Sequence, residues 1–342
     1  MGMLWFLLLA GVLSWLLTSL LRRYALANSL LDIPNKRSSH FVPTPRGGGV
    51  SIVLSFMIVL PFLSMFDVLP TEQIWALLGA GGCVAFVGFL DDHRHIPALW
   101  RLLVHFVCAA WALVWLDGLP PLPVFNIMFD FGWLGNLLAV LYLVWLLNLY
   151  NFMDGIDGIA SIEAITVCLG GIVLYWLSGV TEYIWVVPAL LMTAVAGFLF
   201  WNFPRAKIFM GDTGSGFLGL VLGVLSIQAA RVVPELFWAW VILLGAFVVD
   251  ASLTLIIRIF RGEMFYEAHR THAYQHAARK YNNHILVTAV FGAINLFWLL
   301  PIAIFVVYGW LDGFFGTLIA YFPLIFLATF FGAGQSETNA KI

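Results

Sequence analysis

Four short stretches of this 342-residue chain combine carboxylates, amides, glycines and basic groups in patterns that could perform chemistry. The first is the pair Asp91-Asp92, directly after an apolar run and followed by His93-Arg94-His95. Adjacent carboxylates repel unless a cation or hydrogen-bond donors compensate them. The second is Asn148, Asn151, Asp154 and Asp157, each three residues from the next. On a helical or 3₁₀ turn that spacing lines them up on one face, and Gly155 and Gly158 leave the backbone open to a ligand. No lysine or arginine lies nearby in sequence, so a divalent cation or donors on a substrate would fill the gap. The third runs from Asn202 through Arg205, Lys207 and Phe209 to Gly211-Asp212-Thr-Gly-Ser-Gly216. Glycines and small hydroxyls ahead of a helix offer backbone donors to phosphate. Asp212 among them is an oxygen ligand of the kind Mg²⁺ prefers. The fourth is Glu267-Ala-His269-Arg270-Thr-His272-Ala-Tyr274-Gln-His276. Zinc ligation is possible there in principle, but soft ligands are absent and the companion clusters are hard oxygen donors. Arg270 beside His269 and His272 reads as a phosphate or sugar-hydroxyl site. Together these groups suit phosphoryl transfer, which works mostly by positioning and charge neutralisation.

The elements that must carry them are membrane helices. Hydrophobic side chains make up 62% of the chain and charged ones only 10%, against about 25% charged in a soluble domain. Sixteen Lys+Arg against eighteen Asp+Glu give a net charge of −2, which excludes an electrostatic nucleic-acid binder. The three cysteines, Cys83, Cys108 and Cys168, sit in separate apolar runs and read as small buried hydrophobes. A spanning helix needs about 20 mostly apolar residues. Eleven candidates appear, near 3–21, 49–69, 74–90, 99–116, 134–150, 159–178, 184–200, 215–230, 236–258, 285–308 and 312–332. The expectation is one all-α polytopic domain, 1–342, with Ser215, Gly219 and Gly223 packing the eighth span closely on a neighbour. If eleven spans alternate, every lysine and arginine except Arg231 falls on one side. The positive-inside rule makes that side cytoplasmic, with the N-terminus out and the C-terminus in. Six of the eleven aspartates then lie on the cytoplasmic side, five of them at span ends. Asp250 is the exception: it lies within a span, eight residues before Arg258 and so about two turns along the same face, and reads equally as an ion pair or a polar bond to the site's surroundings or as direct chemistry.

In order along the chain, these motifs resemble those of the polyprenyl-phosphate N-acetylhexosamine-1-phosphate transferases, the superfamily of the phospho-N-acetylmuramoyl-pentapeptide translocase. The resemblance rests on Pro43-Thr-Pro-Arg46-Gly-Gly-Gly49, Asp91-Asp92, Asn151-xx-Asp154-Gly-x-Asp157-Gly158, Asn202 seven residues before Phe209, Met210-Gly-Asp-Thr-Gly-Ser215 and the His-bearing loop. It implies a bacterial inner-membrane enzyme, active at the cytoplasmic face, that moves a sugar 1-phosphate from a UDP-N-acetylhexosamine to undecaprenyl phosphate and releases UMP. It implies Mg²⁺, or Mn²⁺ in its place, held by Asp212 with Asp157. It places Phe209 against uracil with Asn202 beside it, and Asn151, Asp154 and Asp157 around nucleoside and metal. Asp91 and Asp92 would orient the lipid phosphate, Arg101 would bind it, and Arg46, His269, Arg270 and His272 would complete the substrate contacts. A homodimer is compatible with it. The departures are His272-Ala-Tyr-Gln-His276 in place of three consecutive histidines, and His40 and His95 in place of lysines. They point away from the pentapeptide substrate and towards the branch that starts O-antigen, lipopolysaccharide or related envelope glycans, with N-acetylglucosamine or a 6-deoxy relative such as N-acetylfucosamine. The pentapeptide translocase is the alternative. A proton-coupled transporter is a distant one, because its acids and broken helices would sit near mid-bilayer.

Overall fold

A computed structural model describes residues 2–34, 42–65, 69–94, 96–180, 183–263 and 269–335. His40, His95 and Glu267, singled out above, lie outside these ranges. In hydrocarbon every backbone polar group must be satisfied within the chain, so long apolar runs become helices. Helix α1 (Gly2–Ala27) leads to a two-residue antiparallel pair, β1 (Leu31–Asp32) with β2 (Thr44–Pro45), and then to α2 (Val50–Met65), α3 (Thr71–His93) and α4 (Ala98–Trp115). A hairpin of β3 (Leu122–Val124) and β4 (Ile127–Phe129) precedes α5 (Gly132–Met153), α6 (Ile159–Leu177), α7 (Val186–Asn202) and α8 (Asp212–Val232). Then come α9 (Glu235–Leu243), α10 (Gly245–Phe260) and α11 (Ala273–Tyr281). Helix α12 (His284–Ile294) continues through a π-turn, Asn295–Leu299, into α13 (Leu300–Val307), and α14 (Gly313–Phe330) is last.

All eleven expected runs are helical. Among the described residues nine helices are long and apolar enough to cross a membrane. Helix α2 has 16 described residues, about 24 Å at 1.5 Å per residue, and residues 66–68 of its expected run lie outside the described ranges. One run differs from expectation. The run 236–258 is a bent pair, α9 and α10, at 68° to one another. At the bend Tyr321 donates its hydroxyl hydrogen to the Val241 carbonyl at 2.7 Å, the carbonyl that a continuous helix would pair with the Gly245 N–H. A side chain inserted into the helical ladder is a recognised cause of a sharp kink.

Helix α8 is the axis of the bundle, buried from Thr213 to Ala230 between α3 and α5. Its Ser215-Gly219-Gly223 ladder faces α5, with Gly219 against the Leu146 carbonyl. Cys108 and Cys168 are buried as expected, but Cys83 lies on the outer surface of α3. This packing brings the C-terminal ends of α3 and α5 to the N-terminal end of α8, so the three aspartate clusters share one end of the bundle.

Candidate active site

Asp92 stands at the last turn of α3, and its carboxylate side chain is 1% exposed. One oxygen accepts hydrogen bonds from the Asp212 N–H at 3.0 Å and from Arg46 Nη2 at 3.0 Å. The other accepts from the Thr213 N–H at 3.1 Å and the Thr213 hydroxyl at 2.8 Å. A carboxylate from one helix thus caps the positive N-terminal end of another. Gly211 makes room for it: its φ is +78°, and a Cβ there would lie 2.7 Å from an Asp92 oxygen. The backbone donors expected to cradle phosphate are therefore already filled by Asp92. This corrects the expectation for 211–216, and sequence spacing could not show it because the filler lies 120 residues away.

The cap leaves the Asp212 side chain facing outwards. Its Oδ2 accepts from Arg101 Nη1 at 3.2 Å. The same guanidinium pairs with Asp91, whose other oxygen accepts the Ile96 N–H at 2.8 Å. Asn151, in the last turn of α5, donates to the Ser215 hydroxyl at 3.1 Å. Asp154 ends α5, and among the described residues its carboxylate accepts no hydrogen bond. Burial, reinforced by the charges of Asp212, Asp92 and Asp157, pushes the Asp154 carboxyl up to about 7. A carboxylate in that position lacks a cation. Among the described residues no three His, Cys, Asp or Glu side chains form a ready-made metal cluster. Mg²⁺ does not need one, since it is usually held by one or two carboxylates with waters and substrate phosphates. The donor set fits such an ion.

Beside this acidic cleft lies a basic cavity of about 790 Å³. Asp157, Arg205, Phe209, Arg270, Arg279 and His284 line it. Asp157 accepts the Ala206 N–H at 3.2 Å and lies 3.5 Å from His284 Nδ1, and its backbone carbonyl accepts the Thr288 hydroxyl at 2.8 Å. Asp157 therefore faces the cavity, while Asp154 faces Asp212. Asn202 is 3% exposed. Its amide accepts the Gly158 N–H at 3.0 Å and donates to the Ile208 carbonyl at 3.0 Å. Both ends are spent on the fold, so Asn202 places Phe209 and the Asp157 turn and does not itself reach into the cavity. The segment bearing Phe209 is clamped from the turn just before α2, because the Gly48 N–H donates to the Phe209 carbonyl at 2.9 Å and the Gly49 N–H to the Met210 carbonyl at 2.8 Å.

Asp250 repeats the device of Asp92. It is 2% exposed and accepts the N–H groups of Ala273 and Tyr274, both at 2.9 Å, at the start of α11. His272 Nδ1 lies 3.3 Å from it. Arg258 pairs with Glu263 at 3.0 Å and not with Asp250. His272 is thereby buried at 2% exposure, its ring 4.9 Å from that of His269. The Tyr274 hydroxyl donates to the Phe152 carbonyl at 3.0 Å and occupies the space beside Gly155. Gly155 thus admits a tyrosine of the chain itself and not a ligand. Of the expected contact residues, Asp157, Phe209 and Arg270 line the cavity. Asp91, Arg46, Arg101, Asn151, Asp154 and Asp212 line the cleft. Asn202 and His272 are buried behind them. Arg205, Arg279 and His284 also line the cavity. Arg205 belongs to the third motif; for Arg279 and His284 the signal in the sequence is the density of Arg and His after residue 268.

The model of glycosyl transferase family 4 matches residues 74–230. A probable undecaprenyl-phosphate N-acetylglucosaminyl 1-phosphate transferase of Bacillus subtilis is 28% identical over 263 residues, 75% of this chain and 72% of that protein. A decaprenyl-phosphate N-acetylglucosaminephosphotransferase of Mycolicibacterium smegmatis is 30% identical over 255 residues, 67% of this chain and 60% of that protein. A phospho-N-acetylmuramoyl-pentapeptide-transferase of Bacillus licheniformis is 29% identical over 267 residues, 74% of this chain and 80% of that protein. The family match spans Asp91 to Ser215, all three aspartate clusters, and over residues 74–230 the chain is similar to glycosyl transferase family 4.

Proposed function

We propose that this membrane protein transfers N-acetylhexosamine 1-phosphate from a UDP-sugar to undecaprenyl phosphate. UMP is released, and an O-antigen or related envelope glycan is begun at the cytoplasmic face of the bacterial inner membrane. The observation that carries the reading is the junction of an acidic cleft with a basic, aromatic-edged cavity at one end of a membrane bundle. Both substrates are anions, and one of them is a lipid. Arg205, Arg270 and Arg279 would hold the nucleotide pyrophosphate and Phe209 would stack on the base. Asp212 with Asp154 would hold Mg²⁺, and Asp157 would stand at the cavity edge. Bound Mg²⁺ would offset charge on the pyrophosphate. Arg101 would receive the lipid phosphate, with Asp91 orienting the guanidinium. Arg46 fits the same edge, since its Nε is buried without a partner among the described residues. An oxygen of the lipid phosphate attacks the β-phosphorus, the bond to the UMP oxygen breaks, and a pyrophosphate-linked sugar remains on the lipid. A phosphate monoester loses its second proton near pH 6, so orientation matters more than base strength.

The test is UMP release by the purified protein with undecaprenyl phosphate, Mg²⁺ and a panel of UDP-sugars: N-acetylglucosamine, N-acetylfucosamine and N-acetylmuramoyl-pentapeptide. The expected result is UMP only when lipid phosphate and one of the first two sugars are both present, and none after chelation. Turnover with the pentapeptide donor alone would establish the alternative. UMP release without lipid phosphate would overturn the reading.

A further inference from the structure

Glu163 is fully buried in α6, six residues beyond Asp157, and the chemistry above makes no use of it. Asn295, 1% exposed, opens the π-turn after α12. Asn295 Nδ2 donates to Glu163 Oε2 at 2.7 Å and to the Thr166 hydroxyl oxygen at 2.8 Å. The Thr166 hydroxyl hydrogen in turn goes to the backbone carbonyl of Ile162 at 2.8 Å or of Glu163 at 3.1 Å. The two amide hydrogens and the one hydroxyl hydrogen are all spent. Two acceptors are left without a hydrogen bond of ordinary geometry among the described residues, Glu163 Oε1 and Asn295 Oδ1, both buried, with the Phe247 N–H also facing the Glu163 carboxyl. Buried acceptors are rarely left unpaired, and an ionised carboxylate at membrane depth is costly.

We infer that Glu163 carries a proton and works as a neutral carboxylic acid. Its Oε1–H donates to Asn295 Oδ1, while Asn295 Nδ2 donates to Glu163 Oε2. One hydrogen closes both vacancies in a cyclic acid–amide pair. Exchanging the two ends of the amide does not remove the need for it, because two oxygens would then face one another at the 2.7 Å contact. The pair ties α12 to α6 deep in the bundle. Thr288 and His284 tie the same two segments at the cavity, through Asp157. Glu163 is thus a positioning residue for the cavity wall that carries Asp157 and His284.

Infrared spectroscopy of the purified full-length protein in lipid at pH 7 tests this directly. Subtracting the E163Q spectrum should remove the carbonyl band of a protonated carboxylic acid. Loss of carboxylate bands in its place would overturn the inference. Kinetics give a second arm, which rests on the transferase reading. E163Q, an uncharged isostere, should keep wild-type KM and kcat. E163L strands the Asn295 amide and should raise the KM for the UDP-sugar by about fivefold or more, with a smaller effect on kcat. E163Q as damaging as E163L, with both folded, would contradict a neutral role. A wild-type protein inactive on every donor would sink the transferase reading and leave the infrared result standing.

Discussion

A carboxylate that accepts four hydrogen bonds has little left with which to touch a substrate, and Asp92 is in that state. Its part is to aim Asp212, while Asp91 and Arg101 keep the outer edge of the cleft. Asp212→Asn keeps the shape and removes the charge, so turnover should fall roughly 10²-fold with the fold intact. Near-wild-type turnover at limiting Mg²⁺ would refute that assignment. Asp154 gives a pH signature. Its folded pKa is raised from 3.8 to about 7, so the proton binds more tightly in the folded chain. The stabilisation is complete below pH 3.8 and is lost as pH rises through about 7. Burial and the Asp92 charge raise Asp212 to about 7 as well, so the melting temperature of chelator-treated protein should decline from pH 5.5 to pH 8, and Asp154→Asn should lessen the decline. The motif residues were legible from their types and spacing. Which of them face solvent was not. Asn202 and His272 look like ligands in the sequence, but they are buried because groups distant in sequence, Gly158 and Asp250, claim their polar atoms.

At the scale of elements, two helix starts next to the site are capped by an aspartate from a different helix: α8 by Asp92 and α11 by Asp250. Hydrocarbon makes such caps costly to lose, because no water replaces them. Asp250→Ala should destabilise the fold by about 1–3 kcal/mol and raise the KM for the UDP-sugar, since Arg270 lies just before the α11 start and Arg279, in its last turn, donates back to the Arg270 carbonyl. Asp250→Asn, which still accepts hydrogen bonds, should lose less on both counts. Thermal unfolding and initial rates measure the two effects, and a wild-type KM in Asp250→Ala would show that α11 does not shape the cavity. The eleven helical runs could be read from hydropathy because the membrane enforces helix on any long apolar segment. The bend between α9 and α10 could not, because Tyr321 takes the Val241 carbonyl from 80 residues away.

Across the whole molecule, basic charge is segregated. The acidic cleft and the basic cavity share one end, and Arg231, at the other, donates to the carbonyls of Asp117 and Gly118 at 2.7 and 2.8 Å. The proposed orientation, with the N-terminus out, would turn the site to the cytoplasm. In a variant lacking Cys83, Cys108 and Cys168, a cysteine at Asn283 should resist an impermeant thiol reagent in intact cells, and one at Asp130 should react. The opposite pattern would invert the topology. The central claim is a division of labour, in which the cavity holds the nucleotide and the cleft serves the lipid phosphate and the cation. Calorimetric titration of UDP into three proteins tests it most directly: wild type, Phe209→Ala and Asp92→Asn. Phe209→Ala should weaken binding by roughly 1–3 kcal/mol, the contribution of stacking on a nucleobase. Asp92→Asn should bind UDP as the wild type does and lose its rate elsewhere. Wild-type UDP affinity in Phe209→Ala together with abolished binding in Asp92→Asn would contradict the account.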